Sequence, residues 1–570
     1  MTTSRWFSRL KIFWEWLPGW LGLLLATALG MGLAAYATTW GPGVGGDATI
    51  YLTAARNLIT GRGLGWYEAD GVFRLLPYTP PFYPLVLSLL GLLQIDLVAG
   101  ARWLNVIMFG GLLFVTGWAF QYFTGRKLLG ILLAGILAVS PVILNVQVWA
   151  MSESLFLLVG FSGLMLLVYS LEKPNRHRRM VTAALLLGLA CLTRYIGAAF
   201  IAAGFLTWLL LAKQTWNRKM ADLALFALVS SVPVLIWLAI DYQLTGTVAS
   251  RSGQAASDLW ARFLSFFPPL LDIYLFWLVP GSIVSRMPYL LKAAALVLPL
   301  LAGGMLVVEI ALRLHSQARI AVRKQADLIG ANNPFAVWLD SGGVRFTVAM
   351  LFFITSYLVL LAVVHVFTYP PVTLASRMLS PVHFAVVALL AALLHLVLQG
   401  WQSDRWLPAA GYAAFGLLFL VYAGRGALVV RDMHQIGIGY TAREWRSSEL
   451  VDAIRKIPAQ TPIISNDVTA VQFLANRPAY NIPEIFRDQP LSSFTRFGDS
   501  TSEREQVIFR EQGGVLVLFN ATLASDFSMY GSKLDARLKA FTEGLRPVFE
   551  SPQGTIYIYA TDYVPPSEKK

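Results

Sequence analysis

Long apolar runs dominate this chain, and they leave it few ways to fold. A helix crossing a bilayer needs roughly 20 apolar residues, because each residue rises about 1.5 Å through a hydrocarbon core about 30 Å thick. Runs of that order lie near 17–39, 103–122, 129–149, 154–171, 221–241, 289–312, 345–366, 381–399 and 407–424. The stretch 181–212 has room for two short spans that turn near Arg194 to Gly197. Charged residues make up only 14% of the 570 residues and hydrophobic ones 56%, where a soluble domain carries about 25% charged residues. A soluble multidomain enzyme, a disordered chain and a small disulfide-stapled fold are thereby excluded. Cys191 is the single cysteine and lies in an apolar run, so it has no partner for an intrachain disulfide and reads as packing. The expected fold is a polytopic α-helical membrane protein of about eleven spans.

Charge distribution sets the expected orientation. The net charge of +13 is not spread over a soluble surface. From Tyr440 to Lys570 there are 15 Lys and Arg against 16 Asp and Glu, whereas the rest of the chain carries 30 basic and 16 acidic residues. Basic residues in short loops favour the cytoplasmic side. Arg5, Arg9 and Lys11 precede the first run without a cleavable small-residue site, so the N-terminus reads as cytoplasmic and uncleaved. Arg126-Lys127, Lys173 with Arg176, Arg178 and Arg179, Lys213 with Arg218 and Lys219, and Arg313 through Lys324 all face the cytoplasm if Pro80–Leu97 does not cross. That segment opens with Pro80-Pro81 and Pro84, contains Gly91, and reads as re-entrant or surface-lying. The segment 268–285 reads as interfacial. The C-terminus is then outside.

Three outer stretches follow from this orientation: 40–102, 242–288, and everything after about 425. The expected domains are a membrane domain over 1–425, including the first outer loop 40–102, and an extracytoplasmic α/β domain over 426–570. In the latter, Leu534, Leu538, Phe541 and Leu545 have helical spacing, as do Leu450, Ile454 and Ile457. Gly514–Asn520 and Thr555–Ala560 are rich in β-branched and aromatic residues and read as strands.

Ionisable residues at the outer ends of spans are the candidates for chemistry. Asp47 opens a helical pattern that puts Tyr51, Ala55 and Leu58 on one face, and it reads as a helix N-cap that can still point into a cavity. Glu153 follows Ser152 at the start of a span, where Ser152 suits the cap and an acid suits the first turn. Two carboxylates on one side of the membrane can deprotonate a hydroxyl or hold a divalent cation such as Mg or Mn, and spacing does not choose between these. Arg194 interrupts an apolar hairpin, where an arginine costs roughly 2.5–3.5 kcal/mol unless it faces a cavity, finds a partner or snorkels. Arg377 stands before another span, where snorkelling is the plain alternative. A lipid phosphate is a natural anion for either. Gly41, Gly43 and Gly46 match G-x-G-x-x-G but follow a span rather than a strand, so no dinucleotide site is expected. The short basic clusters make no nucleic-acid face.

The order of these features resembles the GT-C membrane glycosyltransferases, especially bacterial proteins of the protein-mannosyltransferase and aminoarabinose-transferase type (glycosyltransferase family 39). The resemblance rests on Asp47, Tyr51, Ala55, Gly61, Gly63, Pro80, Pro81, Tyr83 and Pro84, then Ser152-Glu153, then Thr193, Arg194 and Gly197, then Arg377 and Pro381. The TPIISND, FLANRP and NIP segments of the tail resemble the outer domain of bacterial members. The resemblance implies sugar transfer from a polyprenyl-phosphate carrier to a glycan, lipid or protein acceptor on the outer face of the cell's inner membrane, usually with inversion. It implies Asp47 as base or site organiser, Glu153 as second acid, and Arg194 and Arg377 as donor-phosphate contacts, with Tyr51, Arg56 and Tyr83 as further substrate contacts. Asp47 is followed by Ala48, where eukaryotic mannosyltransferases of the group carry Asp-Glu, so protein O-mannosylation does not carry over directly. A lipid transporter or flippase is the competing class. It would favour matched halves with broken helices, and the sequence has no such internal symmetry.

Overall fold

The structure is a computed structural model and describes residues 18–67, 73–75, 79–171, 176–245, 252–253, 259–295, 312, 341–369, 372, 374–400, 406–481, 513–524, 538–539 and 541–559. Among the described residues eight helices are long and apolar enough to cross a membrane: Gly19–Ala37, Leu97–Thr124, Glu153–Ser170, Trp216–Leu244, Leu259–Leu278, Gly342–Phe367, Ser376–Gln399 and Trp406–Ile436. The expected hairpin is present as helices Arg176–Thr193 and Ala198–Leu211, joined by a 3-10 turn at Tyr195–Gly197. The protein is a multi-pass membrane protein. Arg5, Arg9, Lys11, Lys173, most of the run 289–312 and the cluster Arg313–Lys324 lie outside the described residues.

Two apolar segments depart from the sequence reading, and proline explains both. The run 129–149 is not one straight span, because helices Lys127–Val139 and Pro141–Gln147 meet at 61°. Ser140 ends the first and caps the second, accepting from the Ile143 N–H, and Pro141 takes the first helical position, where an N–H is not needed. The segment read as interfacial, 268–285, overlaps the Leu259–Leu278 helix, which is long and apolar enough to cross. Its prolines stand in the first turn of the Phe267–Leu278 portion and start that helix rather than break it. Residues 80–97 hold only the helix Phe82–Leu92. At about 1.5 Å per residue its 11 residues are too short to cross.

The chain forms two compact units. One comprises Met1–Thr38, Pro77–Tyr83 and Ala101–His434; the other comprises Thr39–Leu76, Pro84–Gly100 and Gln435–Lys570. In the first unit Leu25, Trp118, Leu228 and Leu417 are exposed, as lipid-facing side chains are. The interior packs aromatic on aromatic: Phe200 stacks on Phe353 at 4.0 Å between ring centroids, and Phe161 meets Phe384 edge-on. Gly117 and Gly130 face each other so closely that a Cβ on either would come within 2.9 Å or 2.7 Å of the other's carbonyl oxygen. Small residues at such crossings let membrane helices approach through their backbones.

Arginines serve helix ends in this unit. Arg102 donates to the Ala35 carbonyl and the Thr38 hydroxyl at the end of the first helix, at 2.9 and 3.1 Å. Arg262 reaches the carbonyls of Val366 and Thr368, and Arg425 those of Phe276 and Trp277. Each guanidinium thus answers carbonyls left without partners at a helix C-terminus, where the helix dipole favours a cation.

The second unit is built on a five-stranded mixed sheet, in the order Tyr480–Asn481, Ile463–Ser465, Val515–Phe519, Gly554–Tyr559, Leu545–Ser551. The first three strands are parallel and the last two antiparallel. Val515–Phe519 is buried on both faces, which is why it reads as an unbroken apolar run. Ile463, Val515, Val517 and Phe519 face the helices Glu449–Lys456 and Val468–Ala475, whereas Ile464, Leu516 and Leu518 face Leu523 and Phe541. Leu545, expected to close a helix, instead opens a strand, while Leu534 lies outside the described residues. Asp467 caps the second helix and also accepts from the hydroxyls of Tyr440, Thr469 and Thr522. Outer-loop residues belong to this unit: Val44 bridges Gly439 in parallel, and Thr441 donates to the Pro42 carbonyl at 2.6 Å.

Candidate functional site

Three ionisable residues from distant parts of the sequence converge in the first unit. Glu153 is the first residue of the Glu153–Ser170 helix and is 1% exposed. Its Oε1 lies 2.7 Å from Arg194 Nη1 and 2.9 Å from Arg377 Nε. One carboxylate oxygen therefore carries two guanidiniums, and the three side chains together hold a net charge of +1. Arg194 Nη1 also donates to Ser152 Oγ at 3.3 Å, and Arg377 Nη1 reaches Met151 Sδ at 3.0 Å. Tyr357 lies within electrostatic range of all three and donates its hydroxyl to the Met378 carbonyl at 2.7 Å.

The local sequence explains how each arginine arrives there. Arg194 is extended (φ −151°, ψ 129°), so the helix Arg176–Thr193 stops before it and its side chain leaves the helical path. Gly197 lets the chain turn back, since a Cβ there would lie 2.6 Å from both the Cα and the N of Cys191. Arg377 is in the first turn of the Ser376–Gly400 helix, and Pro381 inside that helix has no N–H to give the Arg377 carbonyl. The Ser380 hydroxyl supplies that bond at 2.8 Å. The spacings T-R-x-x-G and R-x-x-x-P thus have local structural reasons of their own. Ser152 occupies the N-cap position expected of it but makes no cap bond, its hydroxyl being turned to Arg194.

Asn105 is a site-building residue that the sequence reading missed. It is buried, donates to the carbonyls of Trp149 and Met151, and accepts from the Tyr83 hydroxyl at 3.3 Å. Tyr83 is itself fully buried and so reaches the Glu153 neighbourhood through Asn105 and the 149–151 turn. An amide inside the apolar run ARWLNVIMFG was the available signal, because polar side chains within membrane helices need partners there.

Asp47, Tyr51 and Arg56 belong to the second unit, on the helix Gly46–Ile59. Asp47 is not the N-cap, which is Gly45; it stands in the first turn, where a negative charge suits the positive helix end. Tyr51 is 4% exposed, and Arg56 Nη1 donates to Asn476 Oδ1 at 3.0 Å. A divalent ion at Glu153 Oε1 would stand against two guanidiniums. Among the described residues no group of three or more His, Cys, Asp or Glu side chains is placed to hold a metal.

No protein-family model and no curated protein matches this chain. Its likeness is to solved structures. The oligosaccharyltransferase of Archaeoglobus fulgidus in the apo form superposes with a TM-score of 0.51 at 13% identity, covering 97% of this chain and 76% of that one. The same enzyme in complex with Zn and sulfate gives 0.50 at 12% identity, over 94% and 73%. ArnT from Cupriavidus metallidurans, bound to undecaprenyl phosphate, gives 0.43 at 14% identity, over 94% and 97%. At such identities the likeness reaches the fold: the chain has the GT-C fold, with its C-terminal sheet.

Proposed function

We propose that this chain, with its GT-C fold, is an integral-membrane glycosyltransferase that moves a sugar from a polyprenyl-phosphate-linked donor to an acceptor on the extracytoplasmic face. The observation that carries the reading is the pair of arginines on one buried carboxylate oxygen. Two guanidiniums held side by side present paired N–H forks, and arginine forks match phosphate oxygens. The solved neighbour bound to undecaprenyl phosphate shows that a protein similar to this chain binds such a lipid.

In this reading Arg194 and Arg377 hold the donor phosphate, and Glu153 holds the two guanidiniums in register. Asp47 takes the proton of the acceptor hydroxyl, whose oxygen forms the new bond to the anomeric carbon while the bond to the phosphate oxygen breaks. Attack opposite the leaving group inverts the anomeric centre. Charge accumulates on the departing phosphate, so preorganised guanidiniums stabilise the transition state more than the ground state. A general base contributes about 10²–10⁴-fold. The catalytic part lies in a membrane domain over 1–425, and residues 426–570 form an outer domain, with the N-terminus inside and the C-terminus outside the inner membrane.

The test is turnover of short-chain polyprenyl-phosphate sugars by the purified protein, with and without chelator, beside Asp47→Asn and Arg194→Gln. Release of lipid phosphate that both substitutions abolish supports transfer, and the chelator arm decides whether a divalent cation takes part. No release from any donor, with folded protein and acceptors present, overturns the reading in favour of lipid movement, which vesicle assays would then show.

A further inference from the structure

The second unit holds a polar pocket that the proposed donor site does not use. It has a volume of about 380 Å³ and is lined by Arg56, Arg62, Tyr67, Gln472, Asn476 and Arg477, among others, and among the described residues no acidic side chain lines it. Its three guanidiniums are in different states. Arg477 is spent on the backbone, donating to the carbonyls of Ile457, Ala459 and Thr461, and burial pushes its pKa down. Arg56 and Arg62 are exposed, and the bonds given for them go to neutral atoms: Arg56 to Asn476 Oδ1 at 3.0 Å and Arg62 to the Tyr67 hydroxyl at 3.4 Å. Among the described residues the walls thus present positive charge that no lining carboxylate cancels.

A second feature concerns Gln472. Its side chain is 6% exposed and its Nε2 is engaged with the Tyr67 carbonyl at 2.6 Å, yet its buried Oε1 has no hydrogen-bond partner among the described residues. A buried acceptor without a donor is costly and rare in native proteins. Gln472 lines the pocket, and a hydroxyl-bearing ligand answers this oxygen once the side chain turns it to the cavity. Simple anions such as phosphate satisfy the arginines but bring little donor capacity, while neutral sugars satisfy Gln472 and leave the arginines unused.

We propose that the Arg56–Arg62–Gln472 pocket binds an anionic saccharide, a sugar bearing a phosphate or a carboxylate, with its anion on the two exposed arginines and a ring hydroxyl on Gln472 Oε1. The site shares no residue with the Glu153 cluster, and it rests on the transferase reading only for the ligand's role as part of the acceptor. A free sugar phosphate and the anionic headgroup of an acceptor glycan share this chemistry.

The experiment is binding, by titration calorimetry or saturation-transfer NMR, on the full chain in detergent without donor. The probes are glucose 1-phosphate, glucuronic acid, glucose and inorganic phosphate, followed by an anionic disaccharide to separate a free sugar phosphate from a longer glycan. Glucose 1-phosphate and glucuronic acid should bind about tenfold or more tighter than glucose, as one added charge-assisted bond supplies. Arg62→Gln, at an exposed side chain whose loss leaves the fold intact, should remove that advantage. Gln472→Leu should bring glucose 1-phosphate down to the affinity of inorganic phosphate and leave inorganic phosphate unchanged. Equal binding of all four probes, or Arg62→Gln and Gln472→Leu proteins that melt and bind like the parent, overturns the proposal. Because no donor is present, these outcomes are independent of whether the protein transfers sugar.

Discussion

Glu153→Gln should turn Arg377 from a stabilising residue into a destabilising one. In the parent protein both guanidiniums share Glu153 Oε1, at 2.7 and 2.9 Å. Unit charges about 4 Å apart interact by about 4 kcal/mol at an effective dielectric of about 20. Desolvation offsets much of that, and the guanidiniums retain side-chain exposures of 17% and 32%, which screens them further. Breaking a buried pair by removing one partner costs about 3–5 kcal/mol, so the lower end, about 3 kcal/mol, is expected for Glu153→Gln. Much of this loss is repulsion between Arg194 and Arg377 once their counter-charge is gone. Arg377→Gln in the parent should lower stability by about 1 kcal/mol, since the Glu153–Arg194 pair survives. In the Glu153→Gln background the same change should raise stability by about 1–2 kcal/mol, a coupling within the range of contacting residues. Thermal melts of the four proteins in one detergent read the sign directly. If Arg377→Gln lowers the melting temperature equally in both backgrounds, the two arginines do not share a carboxylate and the argument for a phosphate site fails.

Three further outcomes follow from the geometry. Gly197→Ala should destabilise by about 1–3 kcal/mol, because the new Cβ would lie 2.6 Å from the Cys191 backbone; melting temperature and donor turnover should fall together, and parent-like turnover would separate the turn from the site. Asn105→Leu leaves the Tyr83 hydroxyl and the Trp149 and Met151 carbonyls without their shared partner; donor turnover should drop with KM rising, and unchanged kinetics would show that the 149–151 turn holds its shape unaided. Burial, followed by the Asp467 charge, holds the Tyr440 phenol above the usual tyrosine range. Its contribution is complete below about pH 10 and is lost as pH rises toward the folded value, so the melting gap between parent and Tyr440→Phe should be constant from about pH 7 to 9 and narrow above about pH 10; a constant gap throughout refutes it.

The elements that were legible in the sequence share one property: a single strong local signal. The hairpin break at Arg194 to Gly197 stood out because a charge interrupts an apolar run, and the strand at Val515–Phe519 because five apolar residues stand together. Where two signals compete, reading failed. Pro141 lies inside an unbroken apolar run and still bends it, whereas Pro268-Pro269 start a helix; which effect a proline has depends on whether the preceding residues are already helical, and tertiary packing decides that. The site was legible as separate residues but not as a cluster. Nothing in the spacing of Glu153, Arg194 and Arg377 says that two arginines share one oxygen, and the partnership of Asn105 with Tyr83 joins residues that no periodicity links. Arg56 was legible as a candidate contact, but only the fold places it beside Asn476, 420 residues later.

The arginine bonds to helix carbonyls bear on how membrane orientation is encoded. In the proposed orientation Arg102 and Arg262 lie on the translocated side, where loop cations are normally under-represented. Each is paired with the negative end of a helix, so its charge is locally compensated and contributes little to the balance that the insertion machinery reads. Topogenic weight then rests on the lysines and arginines of the cytoplasmic loops. Lysine at either position would keep the formal charge but not the paired guanidinium bonds to the helix end, releasing a cation on the side where it favours inversion of the neighbouring spans.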